Sequence, residues 1–223
     1  MEPQFWQNRW RNGQIGFHQP SVDRSLERHW PALNLGPSSR GSAPRVFVPL
    51  CGKSLDLLWL RDQGHFVTGV ELSATALEAF CMENGVPARR RVQGDFDVYE
   101  AEHLELFRGD FFKLTPSLLG DTAAVYDRAA LISWAPELRP AYAAHMAALT
   151  GSGTQVLLIT LEYPQAQMSG PPFSVPRDAI EELYSRSFEI REIARQDILA
   201  DEARLRSLGI TALSEVCFQL VRG

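Results

Sequence analysis

A glycine in a tight loop and a carboxylate about twenty residues further on can together hold an adenosine-type ligand. This chain carries both: Gly52 lies in Pro49-Leu50-Cys51-Gly52-Lys53-Ser54, and Glu71 follows 19 residues later. Glycine lets a ligand approach the backbone closely, and the start of a following helix offers free N–H groups. A carboxylate has two acceptor oxygens to match two neighbouring ribose hydroxyls. The same two residues are equally consistent with a structural turn followed by an exposed glutamate. The loop is not a dinucleotide fingerprint, because only one of the three required glycines is present. Nor is it a P-loop, since Phe47 stands where the first glycine of that motif belongs.

Two further acidic residues follow apolar runs. Asp110-Phe111 could hydrogen-bond an adenine amino group and pack its ring, and Asp127-Arg128 lies beyond the next run. Trp6, Trp10 and Phe17 suit an aromatic lid, whose faces favour a cationic ligand; they equally suit plain packing, which is the role expected of Trp30. Cys51 has no histidine in a triad pattern beside it and reads as a small buried side chain at a turn. The five histidines, His18, His29, His65, His103 and His145, show no metal-ligand spacing.

These residues need elements to position them. Val46–Val48, Phe66–Val70, Leu104–Leu106, Ala123–Tyr126, Gln155–Leu161, Phe188–Ala194 and Val216–Val221 read as strands. Helical spacing separates most of them: Leu55, Leu58 and Trp59; then Leu77, Phe80 and Cys81 behind a Ser73 or Thr75 cap; then Leu138, Tyr142, His145, Met146 and Leu149 after Pro136; then Ile180, Leu183 and Tyr184. Alternating strands and helices imply crossover connections and a mostly parallel sheet. Ligands of such sheets bind beyond the carboxyl ends of the strands, where Gly52, Glu71, Asp110 and Asp127 all fall. The aromatic segment before Gly36–Pro44 reads as a helical N-terminal extension with its linker, so the expected organisation is 1–44 as lid extension and linker and 45–223 as the main domain. Arg89-Arg90-Arg91 reads as a solvated loop before a strand.

Composition narrows the function classes. The chain has 223 residues, a formal net charge of -5 and 45% apolar residues, which suits a globular fold and argues against a general nucleic-acid binder. Three cysteines without a C-x-x-C pair point to a reducing compartment. With no signal peptide pattern and no membrane-length apolar run, the expected location is the cytoplasm, with no membrane partner.

The sequence resembles the thiopurine S-methyltransferase family over essentially its whole length. The resemblance is carried by Trp6-x-x-x-Trp10 with Gly16-Phe17-His18-Gln19, Val48-Pro49-Leu50-Cys51-Gly52-Lys53-Ser54-Leu55-Asp56 and Gly69-Val70-Glu71-Leu72-Ser73. Tyr126-Asp127-Arg128-Ala129-Ala130-Leu131 and Gly170-Pro171-Pro172-Phe173 extend it. It implies an α/β, Rossmann-like class I methyltransferase: a seven-stranded, mostly parallel sheet with an antiparallel last strand and helices on both faces. It implies S-adenosylmethionine as methyl donor, S-adenosylhomocysteine as product, no metal, and a small aromatic or heterocyclic thiol as acceptor. By position it assigns Trp10, Leu50, Glu71, Asp110, Phe111 and Arg128 to the cofactor, and Phe17, Arg128 and Arg204 to the acceptor. A monomer is the default expectation. Alternative readings are methylation of selenium or tellurium species, a non-catalytic adenosyl-ligand sensor, and a nicotinamide dehydrogenase, the last disfavoured by the missing glycines.

Overall fold

Short β-branched and aromatic runs bounded by glycine and proline become strands, and the capped amphipathic runs between them become helices. The computed structural model describes residues 3–36 and 42–223. Part of the Gly36–Pro44 linker, residues 37–41, lies outside the described residues. The chain divides into two compact units, Met1–Tyr126 and Asp127–Gly223.

The first unit opens with α1 (Pro3–Arg11) and α2 (Arg24–His29), so the expected extension is helical. Asp23 caps α2 by accepting from the Ser25 and Leu26 N–H groups. Next come β1 (Arg45–Val48), α3 (Asp56–Asp62), β2 (Phe66–Glu71) and α4 (Ala74–Glu83). They are followed by β3 (Arg89–Gln93), β4 (Phe96–Ala101), β5 (Leu104–Arg108), α5 (Pro116–Leu119) and β6 (Thr122–Arg128), whose last two residues open the second unit. Ser73, the first of the two expected caps, closes the start of α4 through the Ala76 N–H at 3.3 Å. Strands β5, β2, β1 and β6 run side by side and parallel. Val46, Phe47, Val67, Val70, Leu106 and Val125 are buried among them, as expected where a parallel sheet is covered on both faces.

The seven expected strands are all present, and β3 and β4 are added to them. Arg89-Arg90-Arg91 is therefore not a loop. It lies in β3, antiparallel to β4, which is in turn antiparallel to β5. The pairing of Gln93 with Phe96 leaves Gly94-Asp95 as a two-residue hairpin link with Gly94 at φ +58°. The arginines face carboxylates: Arg90 bonds Glu78 at 2.9 Å, and Arg91 bonds Glu100 at 2.9 Å and Glu105 at 3.0 Å.

The second unit continues with α6 (Arg139–Leu149), β7 (Gln155–Glu162), α7 (Arg177–Tyr184), β8 (Phe188–Asp197), α8 (Ala203–Ser207) and β9 (Ser214–Arg222). The last strand, β9, is antiparallel to both β7 and β8, as expected. A bulge between Glu192 and Ala194 shifts the register of β8 against β9. Among the described residues, no helix is long and apolar enough to cross a membrane.

Candidate active site

The loop after β1 takes its shape from two left-handed residues, Leu50 at φ 46° and Gly52 at φ +53°. The Cys51 N–H donates to the Val70 carbonyl at 2.9 Å, tying the loop to the end of β2. Cys51 is buried, and a Cβ added to Gly69 would lie 2.7 Å from its sulfur. Burial and the nearby Glu71 push its thiol well above the ordinary range, which suits a packing role and not a nucleophile. Lys53 reaches across to α4, where its Nζ bonds both carboxylate oxygens of Glu83 at 2.7 and 2.8 Å.

Glu71 is buried, not exposed as the structural-turn reading expected. Its Oε2 accepts the Gly52 N–H at 3.0 Å and its Oε1 accepts the Ser73 N–H at 2.8 Å. One carboxylate thus bridges the β1 loop and the turn into α4. A carboxylate has about four lone-pair sites, so two backbone donors leave room for ligand hydroxyls. Burial raises its pKa from 4.5 to about 7, opposed by the backbone hydrogen bonds of Ser73, Gly52 and Leu72.

Trp10 closes over this loop. It is buried, and a Cβ on Gly52 would lie 3.1 Å from its ring. Phe17 meets Trp10 edge-to-face at 5.5 Å and meets Trp6 in the same way at 5.6 Å. Three aromatics of the extension therefore form one cluster against the loop. Trp30 does what the sequence suggests: it is buried and donates from its indole to His65 Nε2 at 2.9 Å.

The segment after β5 is fastened to the same region, because the Gly109 N–H donates to the Glu71 carbonyl at 2.9 Å. Asp110 is exposed and caps a short 3-10 turn by accepting from the Phe112 N–H at 3.0 Å. Phe111 is buried and stacks on Phe47 at 6.5 Å with planes 7° apart. Trp10, Leu50, Glu71, Asp110 and Phe111 thus gather around the ends of β1, β2 and β5, with Phe17 one ring further out.

The two arginines belong to the second unit. Arg128, half-buried, ends β6 and is followed by Ala129 at φ 60°. Asp127, beside it, is fully buried and accepts from the Leu131 N–H at 3.1 Å and the Tyr142 hydroxyl at 2.7 Å. Burial lifts its pKa from 3.8 to about 6. Arg204 lies exposed on α8. The Gly170–Phe173 segment is anchored at its last peptide: the Tyr163 hydroxyl donates to the Pro172 carbonyl at 2.7 Å, and the Phe173 N–H donates to the Ile132 carbonyl at 2.8 Å.

Sequence reasoning assigned no role to Asp56, although it lies within a quoted motif. It is buried in the first unit, accepting from the Asp23 N–H at 2.9 Å and the Tyr126 hydroxyl at 3.0 Å. It ties the helical extension and β6 to α3. An acid in the first turn of a helix is ordinarily a surface feature, so only its burial separates it from the rest. Among the described residues, no group of three or more His, Cys, Asp or Glu is placed to hold a metal ion.

The chain matches the family model described as thiopurine S-methyltransferase across residues 1–223. It is 44% identical over 221 residues to a protein of Nitrosospira multiformis named thiopurine S-methyltransferase, covering 99% of this chain and 98% of the relative. Among solved structures, it is similar to the 1,6-didemethyltoxoflavin-N1-methyltransferase of Burkholderia thailandensis, bound to 1,6-didemethyltoxoflavin and S-adenosylhomocysteine. The TM-score is 0.61 at 15% identity, over 99% of this chain and 86% of that one. It is also similar to the magnesium protoporphyrin IX methyltransferase of Synechocystis with bound S-adenosylhomocysteine, with a TM-score of 0.63 at 13% identity over 100% of both chains. At those identities the structural likeness speaks for the fold alone.

Proposed function

Because the chain belongs to the thiopurine S-methyltransferase family, we propose that its acceptor is a small aromatic or heterocyclic thiol, methylated on sulfur. The chain is an S-adenosylmethionine-dependent methyltransferase of Rossmann-like fold. The observation that carries the acceptor class is the Trp6–Phe17–Trp10 cluster, whose last ring lies on Gly52 of the β1 loop. Flat apolar surfaces beside that loop suit a flat, soft nucleophile.

The loop fits the donor. Buried Glu71 is aimed at the Gly52 backbone and suits a pair of ribose hydroxyls. By resemblance, Trp10, Leu50, Glu71, Asp110, Phe111 and Arg128 are assigned to the donor, and Phe17, Arg128 and Arg204 to the acceptor. Residues 1–44 are assigned the role of lid. S-adenosylmethionine, when bound, supplies a methyl group already activated on a sulfonium sulfur. The protein's work is then to orient and to exclude water. Glu71 and the β1 loop fix the donor's ribose. Trp6, Trp10 and Phe17 shield the sulfonium and attract its charge. An aromatic thiol ionises readily, so the chain needs a cation to hold the thiolate more than a base to make it; Arg128 and Arg204 are the candidates.

Incubation with methyl-labelled donor and a panel of aromatic, heterocyclic and alkyl thiols together with selenium and tellurium acceptors, followed by product analysis, tests this reading. Label on the sulfur of the aromatic members supports it. Donor binding without any methylated product, or label only on selenium or tellurium acceptors, would refute it.

A further inference from the structure

We propose that Asp127 and Tyr142 are a positioning pair for Arg128, fixing through the turn at Ala129 the direction in which that arginine leaves β6. The proposal rests on the reading that Arg128 acts in the methyl-transfer site. Asp127 is 1% exposed and has nothing to do with solvent. Its two oxygens face different partners: Oδ1 accepts from the Leu131 N–H at 3.1 Å, and Oδ2 accepts from the Tyr142 hydroxyl at 2.7 Å. The first bond reaches over residues 128–130 and closes the turn. The second ties that turn to α6. Between them lies Ala129 at φ 60°, a left-handed conformation that a residue with a Cβ adopts only when its surroundings impose it. The turn is held further on by Ser133, whose N–H and hydroxyl both donate to the Ala130 carbonyl, at 3.0 and 2.7 Å.

A carboxylate in this place is costly to bury and is retained only where its bonds are good. A turn alone could be closed by a serine or an asparagine. What an ionised aspartate adds is two charge-assisted bonds that resist displacement when the adjacent cation engages an anion. The other titratable groups facing Asp127 are Tyr142 on α6 and Tyr184 on α7, both buried and neutral, with the phenols pushed well above their ordinary range by burial and by Asp127. Arg128 is its neighbour in the chain. The turn is therefore firm while Asp127 is ionised and loosens once it is protonated, and burial moves that step up to about pH 6.

The test is Tyr142→Phe, assayed as kcat/KM for one aromatic thiol at saturating donor from pH 5 to 8. Saturating donor removes the contribution of Glu71. The ratio of variant to wild type at each pH removes the ionisation of the thiol. The expected result is a loss of about tenfold at neutral pH and an acid limb moved to higher pH, because the lost bond favoured the ionised carboxylate. Asp127→Asn should be impaired with no acid limb near pH 6. In an Arg128→Ala background, Tyr142→Phe should cost little more, since paired residues are not additive. A Tyr142→Phe profile that superimposes on the wild type, or full additivity with Arg128→Ala, would overturn the proposal. Should Tyr142→Phe unfold, Asp127→Asn and its cycle with Arg128→Ala decide in the same way. Wild-type protein that transfers no methyl group to any thiol would instead overturn the functional reading beneath it.

Discussion

If Glu71 holds the donor's ribose as proposed, donor affinity and apo-protein stability respond to pH in opposite directions. Its pKa is raised from 4.5 to about 7 by burial. A shift of that size corresponds to roughly 3 kcal/mol between the two protonation states. Between these values the folded protein binds the proton that the unfolded chain has lost. This contribution to stability is therefore full below pH 4.5 and is lost as pH rises through about 7. Ribose hydroxyls need the ionised form, so donor binding should strengthen over the same upper range. Calorimetry with S-adenosylhomocysteine should give a Kd about tenfold weaker at pH 6 than at pH 8. Glu71→Gln separates charge from shape. Its amide has one acceptor oxygen, so either the Gly52 or the Ser73 N–H, both now bonded to carboxylate oxygen, would face another donor. An unsatisfied buried donor costs about 1–3 kcal/mol, which is roughly five- to 150-fold in affinity if the loop cannot form without it. The Glu71→Gln titration should be weak and flat with pH, which also removes the ligand's own groups from the comparison. Equal wild-type Kd values at pH 6 and 8, or wild-type affinity in Glu71→Gln, would refute the reasoning.

Gly52→Ala should lower the thermal midpoint by about 2–8 °C, through a left-handed backbone cost of about 1–2 kcal/mol and a Cβ placed 3.1 Å from the Trp10 ring; a thermal scan checks it. Asp56→Ala leaves the Asp23 N–H and the Tyr126 hydroxyl without their acceptor. It should cost about 2–4 kcal/mol in urea unfolding, and Tyr126→Phe about 1 kcal/mol. His65 accepts from Trp30 through Nε2, and burial lowers its pKa from 6.5. Its contribution is therefore present above pH 6.5 and declines as pH falls below it. His65→Gln, which still offers an acceptor but does not titrate, should flatten that part of the urea midpoint's pH dependence.

Six of the seven expected strands could be read because each buries an apolar run, while β8, in which only Phe188 is buried, is legible from its alternation alone. Strand β3 could not be read in this way. Arg-Arg-Arg-Val-Gln carries no apolar alternation, because an outer strand of a hairpin can turn its side chains to solvent and to Glu78, Glu100 and Glu105. The legible sign was Gly94-Asp95, a two-residue link of the kind that closes hairpins. Its flanks, polar on one side and aromatic on the other, hid it.

The site divides along the same line. Spacing alone found Gly52 and Glu71 but left them as a candidate ligand site or an ordinary turn. Their burial and the bonds between them depend on where β1 and β2 lie side by side, and pairing between strands leaves no local mark in sequence. Asp56 and Asp127 differ from Glu71 in one respect that matters for reading. Each accepts from a tyrosine hydroxyl outside its own turn, Asp56 from Tyr126 and Asp127 from Tyr142, so although each lies in a segment that the sequence singles out, its surroundings are set by tertiary packing. A buried carboxylate is informative because it is expensive, and the expense becomes visible only once tertiary structure has removed the water.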